Sequence, residues 1–158
     1  MSDAADWVGA GGSVLAAATA VTVYTVDKWQ ARKRRIAEVA EQASHKKLIQ
    51  VEAERLAKLG RGRLSNTVAK QKLGGRLSDS EKRDVAAEVG RVMRRLNELK
   101  SIATFDPQFF SQIGQLCDCF LLIDPEEGES AFIGECSLAL HKLDERLSEF
   151  LRASNGST

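Results

Sequence analysis

The side chains best suited to chemistry here are three thiols and an imidazole: Cys117, Cys119, Cys136 and His141. Zinc would need four such ligands converging at about 2.0–2.3 Å. Cys117 and Cys119 are two positions apart, and on a helix such residues point to nearly opposite faces. The apolar residues around them favour an unbroken helix, so the thiols read as small buried hydrophobes and not as a metal centre. An odd number of cysteines in helical segments also does not fit a secreted disulfide framework. His45 sits in a Lys-rich stretch, and His141 has Asp144 and Glu145 one turn on, which suits a surface ion pair better than a general base. Asp124, Glu126, Glu127 and Glu129 form an acidic turn without the ligand pattern of a calcium loop. The glycines near 60 and 74 lack the Lys-Ser or Lys-Thr of a phosphate loop, and no Gly-x-Ser-x-Gly or His-Glu-x-x-His occurs. The expectation is a protein that is not an enzyme and carries no cofactor and no metal.

The elements that would hold these residues are helical. Two prolines and 6% aromatics in 158 residues fit an all-α chain. Ser78 with Glu81 is a capping box, and Val85, Val89, Val92, Leu96, Leu99 and Ala103 then step by three and four as in a coiled-coil seam. Asp106 is an N-cap with Pro107 at the first helical position, and Phe109, Ile113, Leu116, Phe120 and Ile123 share a face. After a turn at 124–128, Phe132, Cys136, Ala139, Leu140, Leu143, Leu147 and Phe150 mark a third amphipathic helix. Residues 78–152 are therefore expected to form an acidic three-helix bundle, with 153–158 as a disordered tail. Phe109, Phe110, Leu121 and Leu122 give the middle helix apolar surface on more than one side, so the bundle should pack on the preceding segment, its own copy or another protein.

At the other end, Trp7 to Val26 carries no charge for twenty residues, about enough to cross a hydrocarbon core of roughly 30 Å. Trp7 on one side and Tyr24 and Trp29 on the other suit two interfacial belts. Asp3 and Asp6 precede the window, whereas Lys28, Arg32, Lys33, Arg34 and Arg35 follow it. The positive-inside rule then places the N-terminus, residues 1–6, outside and the C-terminal domain in the cytoplasm. Ala18-Thr19-Ala20 resembles a signal-peptide cleavage site, but no positive charge precedes the apolar stretch. The reading is a single-pass transmembrane helix at 7–27. Gly9, Ser13 and Ala17, and likewise Gly12, Ala16 and Ala20, recur every fourth residue, as in stripes along which membrane helices approach closely.

Between the two lies a basic connector. Lys28 to Leu59 has no Pro or Gly and reads as a juxtamembrane helix over 28–59, with a thin stripe of Ile36, Val39, Ala43, Ile49, Ala53 and Leu56 that suits a short coiled coil or a solvated stalk. Glu54 and Lys58 form an i,i+4 pair. Gly60, Gly62, Gly74 and Gly75 mark residues 60–77 as a hinge holding at most a short helix. The net charge of +1 conceals segregation: Lys28 to Arg76 holds 14 Lys/Arg against 4 Glu, and Ser101 onward 3 Lys/Arg against 10 Asp/Glu. Lys28, Arg32, Lys33, Arg34 and Arg35 are the residues placed to meet lipid headgroups. Arg61, Arg63, Arg91, Arg94 and Arg95 could seek phosphate, but no aromatic stacks among them and no nucleic-acid module is present, which argues against nucleic acid.

The function expected from these features is a membrane-anchored helical scaffold or adaptor that forms a homo-oligomer or recruits a protein partner. Two rivals are a membrane-permeabilising oligomer of the holin or small-pore type, and an assembly subunit whose Ala-rich N-terminal helix packs on protein.

Overall fold

The computed structural model describes residues 3–121 and 123–155, with side chains from 25 to 153. All regular structure among them is helical: α1 Asp3–Lys72, α2 Asp79–Ile102, a 3-10 turn Ala103–Phe105, α3 Pro107–Asp118 and α4 Glu129–Asn155. The chain divides into two compact units, Met1–His45 and Lys46–Thr158. No helix among the described residues is long and apolar enough to cross a membrane. Apart from Thr25 and Val26, the side chains of the Trp7–Val26 window lie outside them, and so do those of Gly9, Gly12, Ser13, Ala16, Ala17 and Ala20.

In the first unit every described side chain, from 25 to 45, is exposed. Its apolar residues Val26, Trp29, Ile36 and Val39 contribute to no core.

The second unit is built from four helices, not three. Ile49, Ala53, Leu56, Ala57, Leu64 and Val68 of α1 belong to the same core as Val85, Val89, Val92 and Leu96 of α2, Ile113 and Leu116 of α3, and Phe132, Cys136, Ala139 and Leu143 of α4. Phe109 and Phe150 stack at its edge with ring centroids 5.8 Å apart. The hinge read over 60–77 is corrected accordingly, since α1 continues to Lys72. Two interior glycines cost a helix about 1 kcal/mol each relative to alanine, and burial of the surrounding α1 face outweighs that. Gly60 has a packing reason to be there: a Cβ on it would lie 2.7 Å and 2.9 Å from the Phe120 ring. Of the apolar residues that follow α3, Phe120 is thus covered by this unit's own α1.

The true break comes at Gly74-Gly75. Gly74 has φ +78°, its N–H donates to Gln71 O at 2.8 Å, and Gly75 N–H donates to Lys70 O at 3.0 Å. That is the double bond of a Schellman motif, which only glycine enters without strain. Four residues after Gly75 α2 opens with the expected box: Glu81 N–H donates to Ser78 Oγ at 3.3 Å and Ser78 N–H to Glu81 Oε2 at 2.9 Å. Asp106 caps α3 as read, accepting from Phe109 N–H at 3.0 Å with Pro107 in the first turn. The tail expected from Ala153 is corrected in part, because α4 continues to Asn155.

Candidate interaction surface

The three thiols are packed into the core, while His45 and His141 are exposed. Cys117, Cys119 and Cys136 are free thiols, all buried. Burial pushes the Cys117 and Cys136 thiols up to about 11 and raises Cys119 as well, because a thiolate loses hydration in an apolar surround. Cys119 Sγ donates to Gln115 O at 3.3 Å. Among the described residues no three His, Cys, Asp or Glu are placed to hold a metal ion. Asp144, which the sequence offers to His141, instead pairs with Arg61 of α1.

The acidic turn is structural. Lys82, with its side chain 7% exposed, lies 3.0 Å from Asp79 and donates to the Glu127 carbonyl at 2.8 Å. Leu77 N–H donates to Glu129 Oε1 at 2.8 Å, and Asp124 N–H to Glu135 Oε2 at 2.9 Å. These bonds pin the α3–α4 connection to the start of α2 and to α4.

Charge segregation in the sequence resolves into pairing across the second unit. Lys46 reaches Asp106 at 2.6 Å, Arg63 reaches Glu88 at 2.7 Å, Arg61 pairs with Asp144, and Lys70 pairs with Glu81. Lys70 and the Ser78 N–H and hydroxyl hold Glu81 down to about 2, and Lys46 with the Phe109 N–H holds Asp106 below its ordinary range. The Glu54–Lys58 pair forms at 2.6 Å. Four of the 14 cations between Lys28 and Arg76 are therefore matched to acids outside α1. Arg32, Lys33, Arg34 and Arg35 remain exposed in the first unit, with Lys33 Nζ 3.7 Å from the centroid of the exposed Trp29 ring.

Of the expected partner surface, Phe109 is withdrawn: it is 4% exposed and stacks on Phe150. Its position three residues after the Asp106 cap turns it inward. Phe110 is exposed, as are Ile102 and Phe105, with Lys100 Nζ 4.8 Å from the Phe110 ring centroid. Leu121 is exposed, and Leu122 lies outside the described residues.

The structure adds a surface that sequence reading passed over. On α1, Leu48 is 68% exposed, Val51 57% and Leu59 43%, all in the second unit and all away from the core. At about 100° per residue, positions 48, 51, 55, 59 and 62 fall within an arc of roughly 80°. Beside this stripe runs a groove between α1 and α4 of about 540 Å³, lined by Lys58, Arg61, Gly62, Asp144, Leu147 and Leu151. Gly62 leaves its mouth open, since a Cβ there would meet nothing within 4 Å. The 3-4-4-3 spacing was legible in the sequence, but Arg55 and Gly62 interrupt it as a run of apolar letters.

No family model matches the chain, and no curated protein or solved structure matches it either.

Proposed function

We propose that this protein is a non-enzymatic helical scaffold, attached to a membrane through Trp7–Val26 and joined to copies of itself or to a protein partner through the four-helix unit. The observation that carries the reading is the outer face of α1. Three large apolar side chains stay exposed there, while the inner face of the same helix is buried to 8% or less at Ile49, Ala53, Leu56, Ala57, Leu64 and Val68. Exposed apolar residues arrayed along one face mark an interaction site. A homo-oligomer is the default outcome for such a face.

Membrane attachment is supported by the uncharged window and by the exposed Arg32–Arg35 cluster beside it. Arginines on the cytoplasmic flank orient a span and bind anionic headgroups at about 1 kcal/mol each. The stripe Gly9, Ser13, Ala17 with Gly12, Ala16, Ala20 would serve packing within the bilayer.

Fractionation of a C-terminally tagged chain, with alkaline-carbonate washing and protease added from either side, tests the attachment. Retention in the carbonate pellet with the tag protected on the cytoplasmic side supports it. Recovery in the carbonate supernatant refutes it and leaves the assembly subunit, whose N-terminal helix packs on protein.

A further inference from the structure

We propose that α1 carries, within the first unit, a docking face for an acidic amphipathic helix of another protein, centred on Ile36 and bordered by Lys28, Arg32, Lys33 and Arg35. This adds a second contact surface to the scaffold reading, and only the step that sets lipid aside rests on the membrane segment.

What the helix presents comes first. At about 100° per residue, Trp29, Ile36, Val39 and Ala43 fall within an arc of roughly 80°. All four are exposed, Ile36 at 68% and Val39 at 65%. Arg32 lies inside that arc, and Lys28, Lys33 and Arg35 lie within about 40° of its edges. Asp27, Glu38 and Glu41 lie on the far side, within about 40° of the opposite direction, with Arg34 among them. The apolar row is thus bordered by cations alone, and every acid between 27 and 45 is turned away from it. Arg32, Lys33 and Arg35 make no ion pair among the described residues, whereas Arg61, Arg63 and Lys70 further along α1 each reach an acid on another helix. Lys33 instead rests over Trp29, its Nζ 3.7 Å from the ring centroid, so that cation and ring are offered together.

Charge selects the occupant. Two copies of this face repel each other whether they meet parallel or antiparallel, because neither the row nor its borders hold an acid to set against a cation. A polyanion such as nucleic acid satisfies the cations but leaves Ile36 and Val39 in water. A bilayer holding Trp7–Val26 falls short of the face. Ile36 and Val39 stand about 15 and 20 Å beyond Val26 at about 1.5 Å per residue, while the headgroup layer adds roughly 5–8 Å on each side of the hydrocarbon core. An acidic amphipathic helix meets both demands. Its apolar row buries Trp29, Ile36 and Val39, which carry the helical spacing by which one helix seats on another. Its carboxylates reach Lys28, Lys33 and Arg35 from the borders, as in helix pairs whose partners are chosen by flanking charge. Arg32, inside the row, calls for a carboxylate opposite it, which a guanidinium binds through two N–H groups. That one position favours an acid over an apolar residue and so sets the register of the partner.

Fluorescence anisotropy on the full chain in zwitterionic micelles tests this. The probe is a labelled synthetic peptide three heptads long, with leucine along its apolar row and glutamate on both borders. Its control has the same composition with the glutamates moved to the far side. The probe should bind about tenfold more tightly than the control. Ile36→Asp/Val39→Asp and, separately, Arg32→Glu/Lys33→Glu/Arg35→Glu should each weaken it about tenfold, while Glu38→Gln/Glu41→Gln on the far side should leave it within about twofold. Every side chain changed is exposed and contributes to no core, and an unaltered far-ultraviolet circular dichroism spectrum checks that each variant is folded. A second arm asks whether lipid takes the face. Trp7→Phe leaves position 29 as the only tryptophan, and Trp7→Phe/Trp29→Phe/Ile36→Trp moves it to position 36. Both chains are placed in vesicles of phosphatidylcholine and phosphatidylserine with brominated acyl chains. Quenching at position 36 should be much weaker than at position 29. Equal quenching would mean that lipid covers the face and would overturn the proposal. So would equal binding of probe and control, binding unchanged by Ile36→Asp/Val39→Asp, or no binding at all. Carbonate fractionation reports on Trp7–Val26 by itself, so loss of the span and loss of this contact are told apart.

Discussion

Replacing Gly60 with alanine isolates the contact that makes α1 part of the bundle. The new methyl would sit 2.7 Å from Phe120 Cζ and 2.9 Å from Cε1, with Val92 Cγ1 at 3.5 Å. Phe120 is 4% exposed and Val92 is 4% exposed, so the ring has little room to withdraw. Overpacking of this kind costs about 1–3 kcal/mol. Against it stands the gain from replacing an interior helical glycine, about 1 kcal/mol. Gly90, inside α2, supplies that gain alone, because a Cβ there meets nothing within 4 Å. Subtracting the two variants cancels propensity and leaves the steric term. Gly60→Ala should therefore be about 1–3 kcal/mol less stable than Gly90→Ala. Urea unfolding followed by far-ultraviolet circular dichroism measures the difference. Phe120→Leu should largely erase it, since residues in contact couple energetically while distant ones add. If Gly60→Ala proves as stable as Gly90→Ala, α1 does not pack on Phe120 and the four-helix unit is wrong.

Three further outcomes follow from the same packing. Stability should fall as pH drops from about 4.5 towards 2, because Glu81 titrates near 4.5 unfolded but near 2 folded, so its contribution is intact above 4.5 and lost as the folded group protonates; Asp106, also depressed, acts in the same direction, and urea midpoints of Glu81→Gln should depend less on pH over that window. The three thiols should react slowly with a water-soluble disulfide reagent at pH 8 in the native state and at ordinary rates in denaturant, since burial raises their pKa values; rapid native labelling of all three would refute the core assignment. Lys82→Met should leave the Glu127 carbonyl without its side-chain donor and cost about 1–3 kcal/mol, and a protease specific for glutamate should then cut at Glu126 or Glu127 faster.

The elements easiest to read were those with a local chemical mark. Ser78 and Glu81, Asp106 and Pro107, and the three-four spacing of α2 and α4 each carry their signal within a few residues, and each forms where the spacing puts it. The half of α1 in the second unit was harder because Ala53, Ala57, Gly60 and Thr67 lie between Ile49, Leu56, Leu64 and Val68 on its inner face. Small residues let helices approach closely but register weakly as an apolar stripe. Gly60 carries two opposite meanings in a sequence, helix breaker and close-contact point, and only the distant Phe120 decides between them. Phe109 and Phe110 show the same limit at single-residue scale: adjacent letters of one type, one buried against Phe150 and the other exposed. The outer stripe was obscured by its own middle, where a charged Arg55 and an absent side chain at Gly62 stand at apolar positions.

The basic run makes the most instructive contrast. Composition gives Lys28 to Arg76 as one block, with an excess of about ten positive charges. Its two parts differ in what faces them. From Lys46 onward, four cations each reach an acid on another helix: Asp106, Asp144, Glu88 and Glu81. Exposed pairs of this sort contribute about 0–1 kcal/mol each, so they choose α1's neighbours and its register more than they hold it down. Their field is cancelled locally, and they have little left to attract an anionic surface. The Arg32–Arg35 cluster sits in the first unit, where every described side chain is exposed, so its field reaches solvent across the Debye length of roughly 8 Å at physiological ionic strength. If the chain binds anionic lipid, those four residues must dominate the salt dependence. Reversing Arg61 or Arg63 should instead weaken the bundle and leave lipid binding almost unchanged, an asymmetry that a uniform basic tract would not produce.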